Sequence, residues 1–97
     1  MKICYARKAI TQLDAIFAYI QANDPRAAEK VIARISHAID RLAQFPYSSR
    51  ETNRRGVRVL PIVKYPYLVF YKIDDAAQEV HILRVRHSSR IPKRHLE

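Results

Sequence analysis

The stretch LDAIFAYIQANDPRAAEKVIARISHAIDRLAQFP, residues 13–46, decides the fold because it predicts two helices that fold back on each other. Apolar residues recur at steps of three and four, the spacing of one helix face. Between the two runs, Asp24 can cap a helix N-terminus, Pro25 suits a first helical position, and the short link favours an antiparallel hairpin. The predicted apolar faces comprise Ala9, Ile10, Leu13, Ile16, Phe17 and Ile20, then Ala28, Val31, Ile32, Ile35, Ala38, Ile39 and Leu42.

The second half of the chain changes to the composition of β-strands. Three runs rich in β-branched and aromatic residues follow, VRVLPIV (57–63), YLVFYKI (67–73) and EVHILRV (79–85), and their short links favour an antiparallel meander. A further short strand over residues 2–6 precedes the first helix. The sequence therefore predicts an α+β fold of order β-α-α-β-β-β, with a helical hairpin on one face of an antiparallel four-stranded sheet. We expect one domain over residues 1–97, with an exposed loop at 46–55 and a basic tail at 88–97.

Composition narrows the class of protein. Apolar residues make up 48% of the 97, which excludes a disordered tail, and 18 Lys and Arg against 9 Asp and Glu give a net charge of +9 that favours an anionic partner. The second half holds most of this excess, with 11 basic and 5 acidic side chains. The longest apolar run, YPYLVFY (65–71), is far short of the ~20 residues that span a bilayer. We expect a cytoplasmic protein with no membrane partner.

The residue pattern predicts neither a metal nor a cofactor. The single glycine, Gly56, excludes the Gly-rich loops that bind phosphates, and the single cysteine excludes an internal disulfide. Alternation along a strand places His81 and His87 on one face. They are six residues apart, however, which corresponds to about 20 Å along a strand and is too far for both to bind one metal ion. Cys4 lies in an apolar opening strand, which is typical of a small buried hydrophobe.

Basic and aromatic residues on the predicted sheet suit phosphate or RNA chemistry. His87 has the side chain of a general acid or base, Arg58 or Arg84 that of a phosphate clamp, and Tyr71 that of a stacking or proton-relay group. Glu51 is the nearest candidate carboxylate, although it falls in a loop. The alternative interpretation is that the arginines form a solvated face and that Tyr71 belongs to the core.

Three stretches together carry a resemblance to a known family. Residues 13–46, VRVLPIVKYPYLVFYKI (57–73) and VHILRVRHSSRIP (80–92) occur in an order that resembles the RelE/ParE toxin superfamily, and the resemblance covers residues 6–92. Within it, the Tyr65-Pro66-Tyr67 run and the His87-x-x-Arg90 ending are more similar to the ParE-like branch.

The resemblance implies a toxin of a type II toxin–antitoxin pair, of the kind often described as plasmid-stabilisation proteins. Such toxins form hetero-oligomers with a small antitoxin that has a DNA-binding head, and the positive charge here favours an acidic one. ParE-like members inhibit DNA gyrase, which is the predicted activity. The alternatives are a RelE-like endonuclease that cleaves messenger RNA in the ribosome, and a non-toxic remnant that only binds antitoxin.

The two activities require different residues. A gyrase inhibitor needs a basic contact surface, which we expect to comprise Arg84, Arg86, His87, Arg90, Lys93 and Arg94. A nuclease would rely on His87, Arg58, Arg84 and Tyr71. The strands of the second half lack a carboxylate base in their interiors, because the acidic residues there, Asp74, Asp75 and Glu79, cluster at the turn between the last two strands, and this favours the inhibitor.

Overall fold

The computed structural model of the protein describes residues 1–90. Its elements are β1 Lys2–Tyr5, α1 Arg7–Gln21, α2 Pro25–Arg41, β2 Arg58–Pro61, β3 Tyr67–Asp74, β4 Glu79–His87 and a short 3-10 helix at Ser88–Arg90. The α+β class and the order β-α-α-β-β-β are confirmed. Most of the predicted basic tail, residues 91–97, lies outside the described residues. No helix of the described residues is long and apolar enough to cross a membrane.

The sheet is mixed, so the prediction of an entirely antiparallel sheet is wrong for β1. The strands lie in the order β1-β4-β3-β2, and β3 runs antiparallel to both of its neighbours. β1 runs parallel to β4, with Lys2 opposite Glu79 and Cys4 opposite His81. The two helices carry the chain from β1 to the far edge of the sheet. The meander then brings β4 back beside β1 in the same direction.

The helices cover one face of the sheet, which we call the inner face. Ile35 of α2 and Leu42, which follows its last residue, pack there against Val69, Tyr71 and other buried strand residues. The α2 stripe is confirmed, and the Asp24 side chain caps the helix by accepting a hydrogen bond from the Ala27 amide at 3.1 Å. In α1 the prediction fails at Ile10, which is 48% exposed because it lies about 100° around the helix from buried Ala9.

The opposite face, which we call the outer face, carries a smaller apolar cluster. Its buried members are Val57, Val59, Leu68 and Phe70, against which Leu83 packs. Phe70 pairs with Arg84 while Tyr71 pairs with Ile82, so Leu83 is an extra residue in β4 that forms a β-bulge.

The bulge shifts the alternation of side chains along β4. His81 lies opposite Lys72 on the outer face, whereas His87 lies opposite Tyr67, which packs against the inner core. The prediction that both histidines share a face is therefore wrong. A period of two cannot reveal one inserted residue.

The segment before β2 is less loop-like than predicted. Glu51 forms an isolated antiparallel bridge with Arg58, and the Thr52 amide donates to the Val57 carbonyl at 2.7 Å. Thr52 is buried, and its hydroxyl donates to the same carbonyl at 3.0 Å. The prediction of an exposed loop at 46–55 is wrong for Thr52, because this segment turns back along the edge of β2.

Candidate functional site

A cleft opens where the ends of β3 and β4 meet α1. Its volume is about 730 Å³, and its walls include Lys8, Tyr19, Tyr67 and His87. Gln12 holds α1 against the strand, since its side-chain oxygen accepts a hydrogen bond from the Val85 amide at 2.8 Å. No carboxylate lies among the described residues that line this cleft. The cleft therefore suits a ligand that is both anionic and partly apolar.

Local contacts orient the imidazole of His87 and favour one tautomer of its neutral form. Its Nδ1 accepts a hydrogen bond from the Ser89 amide at 3.2 Å and lies 2.7 Å from the Ser89 hydroxyl. An amide can only donate, so Nδ1 carries no proton in this arrangement and the proton of the neutral ring sits on Nε2. The Tyr67 ring packs edge-on against the imidazole, with centroids 5.5 Å apart. His87 can thus offer a donor from Nε2.

Tyr71, a candidate for stacking or proton relay, is fully buried on the inner face. Its hydroxyl donates to the Pro46 carbonyl at 2.8 Å, which ties the start of the 46–55 segment to β3. This position matches the core interpretation that the sequence left open. It lies four residues along β3 from Tyr67, about 13 Å from the His87 end.

Arg58, one candidate phosphate clamp, lies on the edge strand β2 and engages the 46–55 segment. Its guanidinium stacks over the Tyr47 ring, 4.8 Å from the centroid, and donates to the Ser49 carbonyl. The Tyr47 hydroxyl in turn donates to Asp75. This hydrogen bond raises the pKa of Tyr47, and Arg58 opposes that rise. Glu51, the candidate carboxylate, is exposed beside this edge. Two strands, β2 and β3, lie between Glu51 and β4.

Arg84 and Arg86 lie on the outer face instead. Arg84 pairs with Phe70 and Arg86 pairs with Leu68, and paired residues of neighbouring strands share a face. The structure thus brings Arg84 and Arg86 together beside an apolar pair. Both arginines lie on the opposite side of the sheet from Tyr71. Arg90 lies in the 3-10 helix that follows β4. Lys93 and Arg94, the other two candidates, lie outside the described residues.

A second cleft, of about 460 Å³, lies between the end of α2 and β2. Phe45 and Val63 line it and are 54% and 68% exposed. Arg34 and Arg41 border it, and no carboxylate lies among its described lining residues. The sequence missed this site because the α2 cations are typical of an ordinary solvated helix face. The apolar Phe45 just beyond the helical stripe was the available signal.

A third group of side chains lies at the other end of β4. The ligand atoms of Cys4, Glu79 and His81 are all within 4.8 Å of one another. Cys4 is partly exposed rather than buried as predicted. The group lies about 20 Å along the sheet from His87.

Residues 3–92 match the sequence profile of the ParE toxin of type II toxin–antitoxin systems, parDE. The chain belongs to the ParE toxin family. The predicted resemblance to the RelE/ParE superfamily is therefore confirmed.

Relatives named as toxins resemble this ParE-family chain. Y4kP of Sinorhizobium fredii, which is named as a toxin, is 39% identical over 87 residues, 90% of this chain and 88% of the relative. Toxin RelE2 of Caulobacter vibrioides is 33% identical over 90 residues, 93% of this chain and 98% of the relative.

Solved structures share the fold. A chain of the chromosomal ParDE system from P. aeruginosa superposes with a TM-score of 0.79 at 26% identity, covering 90% of this chain and 95% of that one. A chain of the RelBE2 toxin–antitoxin complex from Mycobacterium tuberculosis gives a TM-score of 0.61 at 24% identity, covering 89% and 95%.

Proposed function

We propose that this chain is the toxin of a type II pair that inhibits DNA gyrase in the cytoplasm and is neutralised by a small acidic antitoxin. One observation carries the choice of target: the four candidate nuclease residues do not form one cluster. Tyr71 is buried and bonded to Pro46, while Arg84 lies on the face of the sheet opposite to His87. Acid–base cleavage of RNA needs these groups around one phosphodiester.

The outer face supplies a contact surface of the kind that inhibition needs. Arg84 and Arg86 are half-buried and lie across from the buried Phe70 and Leu68, so their charge is held over a small apolar cluster on one rigid sheet. Arginine is enriched among the side chains that dominate binding energy in protein interfaces. We assign Arg84 and Arg86 to the centre of the gyrase contact, with Arg90, Lys93 and Arg94 extending it. His87, on the inner face at the end of β4, lies at the border of this contact.

Two assays on the purified full-length toxin test the choice of target. The toxin is titrated into a supercoiling reaction with purified gyrase, and separately into a translation reaction whose messages are mapped for breaks. We expect inhibited supercoiling with stabilised DNA breaks, and intact messages. Cuts in ribosomal A-site codons with unimpaired supercoiling would overturn the proposal in favour of the endonuclease. Inactivity in both assays would identify a non-toxic remnant.

The endonuclease is the second candidate, and one observation favours it. Toxin RelE2 aligns over nearly its full length with this chain, and His87 holds an Nε2 donor in a fixed tautomer at the mouth of a cleft lined by Lys8 and Tyr67. A general acid with an adjacent cation is part of what RNA cleavage requires. No carboxylate that could act as the base lies among the described residues that line this cleft.

The second cleft suits the antitoxin. It combines exposed Phe45 and Val63 with Arg34 and Arg41, which fits an acidic amphipathic segment that orders on binding. The two solved relatives come from toxin–antitoxin systems. We assign this cleft to the antitoxin of a hetero-oligomeric complex.

Salt dependence tests the assignment of the antitoxin site. Opposite charges steer association, so raising ionic strength from about 0.05 to 0.5 M should slow antitoxin binding several-fold. Removing charge with Arg34→Gln plus Arg41→Gln should reduce both the rate and its salt dependence, as measured by stopped-flow fluorescence. Arg26→Gln plus Lys30→Gln is the matched control. A binding rate indifferent to salt would contradict the assignment.

A further inference from the structure

The third group of side chains unites donors from opposite ends of the chain. Glu79 and His81 are two residues apart on β4, so both point to the outer face. The parallel register places Cys4 of β1 directly opposite His81. His81 Nε2 lies 3.0 Å from Glu79 Oε1, and the Cys4 sulfur lies within 4.8 Å of both ligand atoms. Side chains of three different kinds therefore converge on one point.

We propose that Cys4, Glu79 and His81 bind one Zn²⁺ ion, with water as the fourth ligand. Thiolate, imidazole and carboxylate are the three ligand types that zinc takes from proteins. In a tetrahedral zinc site the ligand atoms lie about 3.3–3.8 Å apart, as follows from bond lengths of about 2.0–2.3 Å. The widest separation here must shrink by about 1 Å, which rotation of partly exposed side chains supplies.

The surroundings select the type of ion. Lys2 and Asp74 lie opposite Glu79, and Lys72 lies opposite His81, so two ammonium groups and one carboxylate, with a net positive charge, share this face with the donors. Their charge opposes Mg²⁺ and Ca²⁺, which rely on several oxygen ligands. A thiolate bonds strongly enough to favour zinc or another soft-ligand metal in spite of that charge. The site is thus a thiolate site rather than an acidic one.

Zinc bound at this site would stabilise the edge of the sheet. β1 is a four-residue strand at the edge, and β4 is the only described strand with which it pairs. An ion bound by Cys4 and His81 adds a second link between the same two strands. Because the ligands are positioned by folding, metal binding stabilises the folded state. This site is about 20 Å from His87 and does not depend on the toxin's target.

Metal binding is tested on the full-length chain carrying no affinity tag. Zinc is titrated calorimetrically, and Co²⁺ is used as a spectroscopic probe, because a cobalt–thiolate bond gives a charge-transfer band in the near ultraviolet. We expect one equivalent of zinc, a cobalt–thiolate band, and a thermal midpoint that zinc raises and a chelator lowers. Cys4→Ser and His81→Gln should each weaken zinc binding at least about tenfold, since each removes one of three protein ligands.

The matched control is His37→Gln, which removes an exposed histidine from α2 and should leave zinc binding unchanged. Circular dichroism in chelator shows whether each variant is folded. If Cys4→Ser does not fold, the cobalt spectrum of the unmodified chain and the His81→Gln titration decide. Cobalt binding without the thiolate band, or zinc binding that survives in His81→Gln, would overturn the proposal. Equal loss in His37→Gln would identify nonspecific surface binding and would overturn it too.

Discussion

The two faces of the sheet differ in packing, and the proposed function assigns recognition to the outer one. On the inner face, Val69, Tyr71 and Ile82 are completely buried under two helices. On the outer face, Leu68 and Phe70 retain 7% and 8% exposure and have arginines as cross-strand neighbours. Both faces use the same three antiparallel strands. The inner face therefore carries most of the packing, and the proposed function leaves the more lightly covered outer face to a partner.

The largest expected effect follows from removing packing on the inner face. Ile35→Ala or Leu42→Ala should lower the free energy of unfolding by ~2–5 kcal/mol, because each leaves a cavity where the side chain is almost wholly buried. Chemical denaturation monitored by circular dichroism measures the loss. Ile10→Ala, at an exposed position of α1, is the control and should change stability by less than about 0.5 kcal/mol. Comparable losses at all three sites would contradict the assignment of the core.

The next effect tests the outer face. Arg84→Gln plus Arg86→Gln should raise the toxin concentration needed for half-inhibition of supercoiling by about tenfold or more, since both side chains border the apolar pair at the proposed contact. The free energy of unfolding should change by less than about 0.5 kcal/mol, as is usual for surface substitutions. Arg26→Gln plus Lys30→Gln removes the same charge from α2 and should leave inhibition unchanged. Equal effects of the two pairs would mean that the outer-face arginines act only through net charge, and would contradict a specific contact there.

The sequence predicts the elements of this fold well because their signals are local. The helical stripe of α2 and its Asp24 cap depend on neighbours within a few residues, and both are confirmed. The direction of β1 is a different kind of fact. The direction of β1 relative to β4 depends on the position in the sheet to which the helical hairpin leads the chain. No periodicity within residues 2–6 carries that information.

The site is harder to predict because it depends on long-range pairing. One inserted residue, Leu83, moves His87 to the inner face, so that alternation alone gives the wrong neighbours for it. Cys4 approaches His81 only through parallel pairing across 77 positions of the chain. Spacing along the sequence indicated candidate residue types. It could not tell which of them share a surface.

A smaller effect distinguishes the structural role of Tyr71 from a catalytic one. Tyr71→Phe keeps the ring and removes the hydrogen bond to the Pro46 carbonyl, so it should cost about 0.5–1.5 kcal/mol of unfolding free energy. Growth arrest and inhibition of supercoiling should be unchanged under conditions where the variant is folded. Tyr67→Phe, which removes a hydroxyl from the cleft beside His87, is measured in the same assays for comparison. Loss of toxicity in Tyr71→Phe with unaltered stability would assign the hydroxyl to chemistry instead.

The smallest expected effect is that of His87→Gln, and it bears most directly on the target. In a gyrase inhibitor, His87 is one contact at the border of the surface, and glutamine keeps a side-chain N–H donor. Half-inhibition of supercoiling should therefore shift by less than about threefold, in keeping with the small cost of most interface truncations. In a nuclease, the same change would remove a general acid or base and reduce cleavage by ~10²–10⁴-fold. Supercoiling assays, message mapping and growth arrest are measured side by side, with Arg84→Gln plus Arg86→Gln as the reference. If His87→Gln abolishes toxicity while the arginine pair is tolerated, recognition belongs to the inner-face cleft, and the outer face loses the role assigned to it.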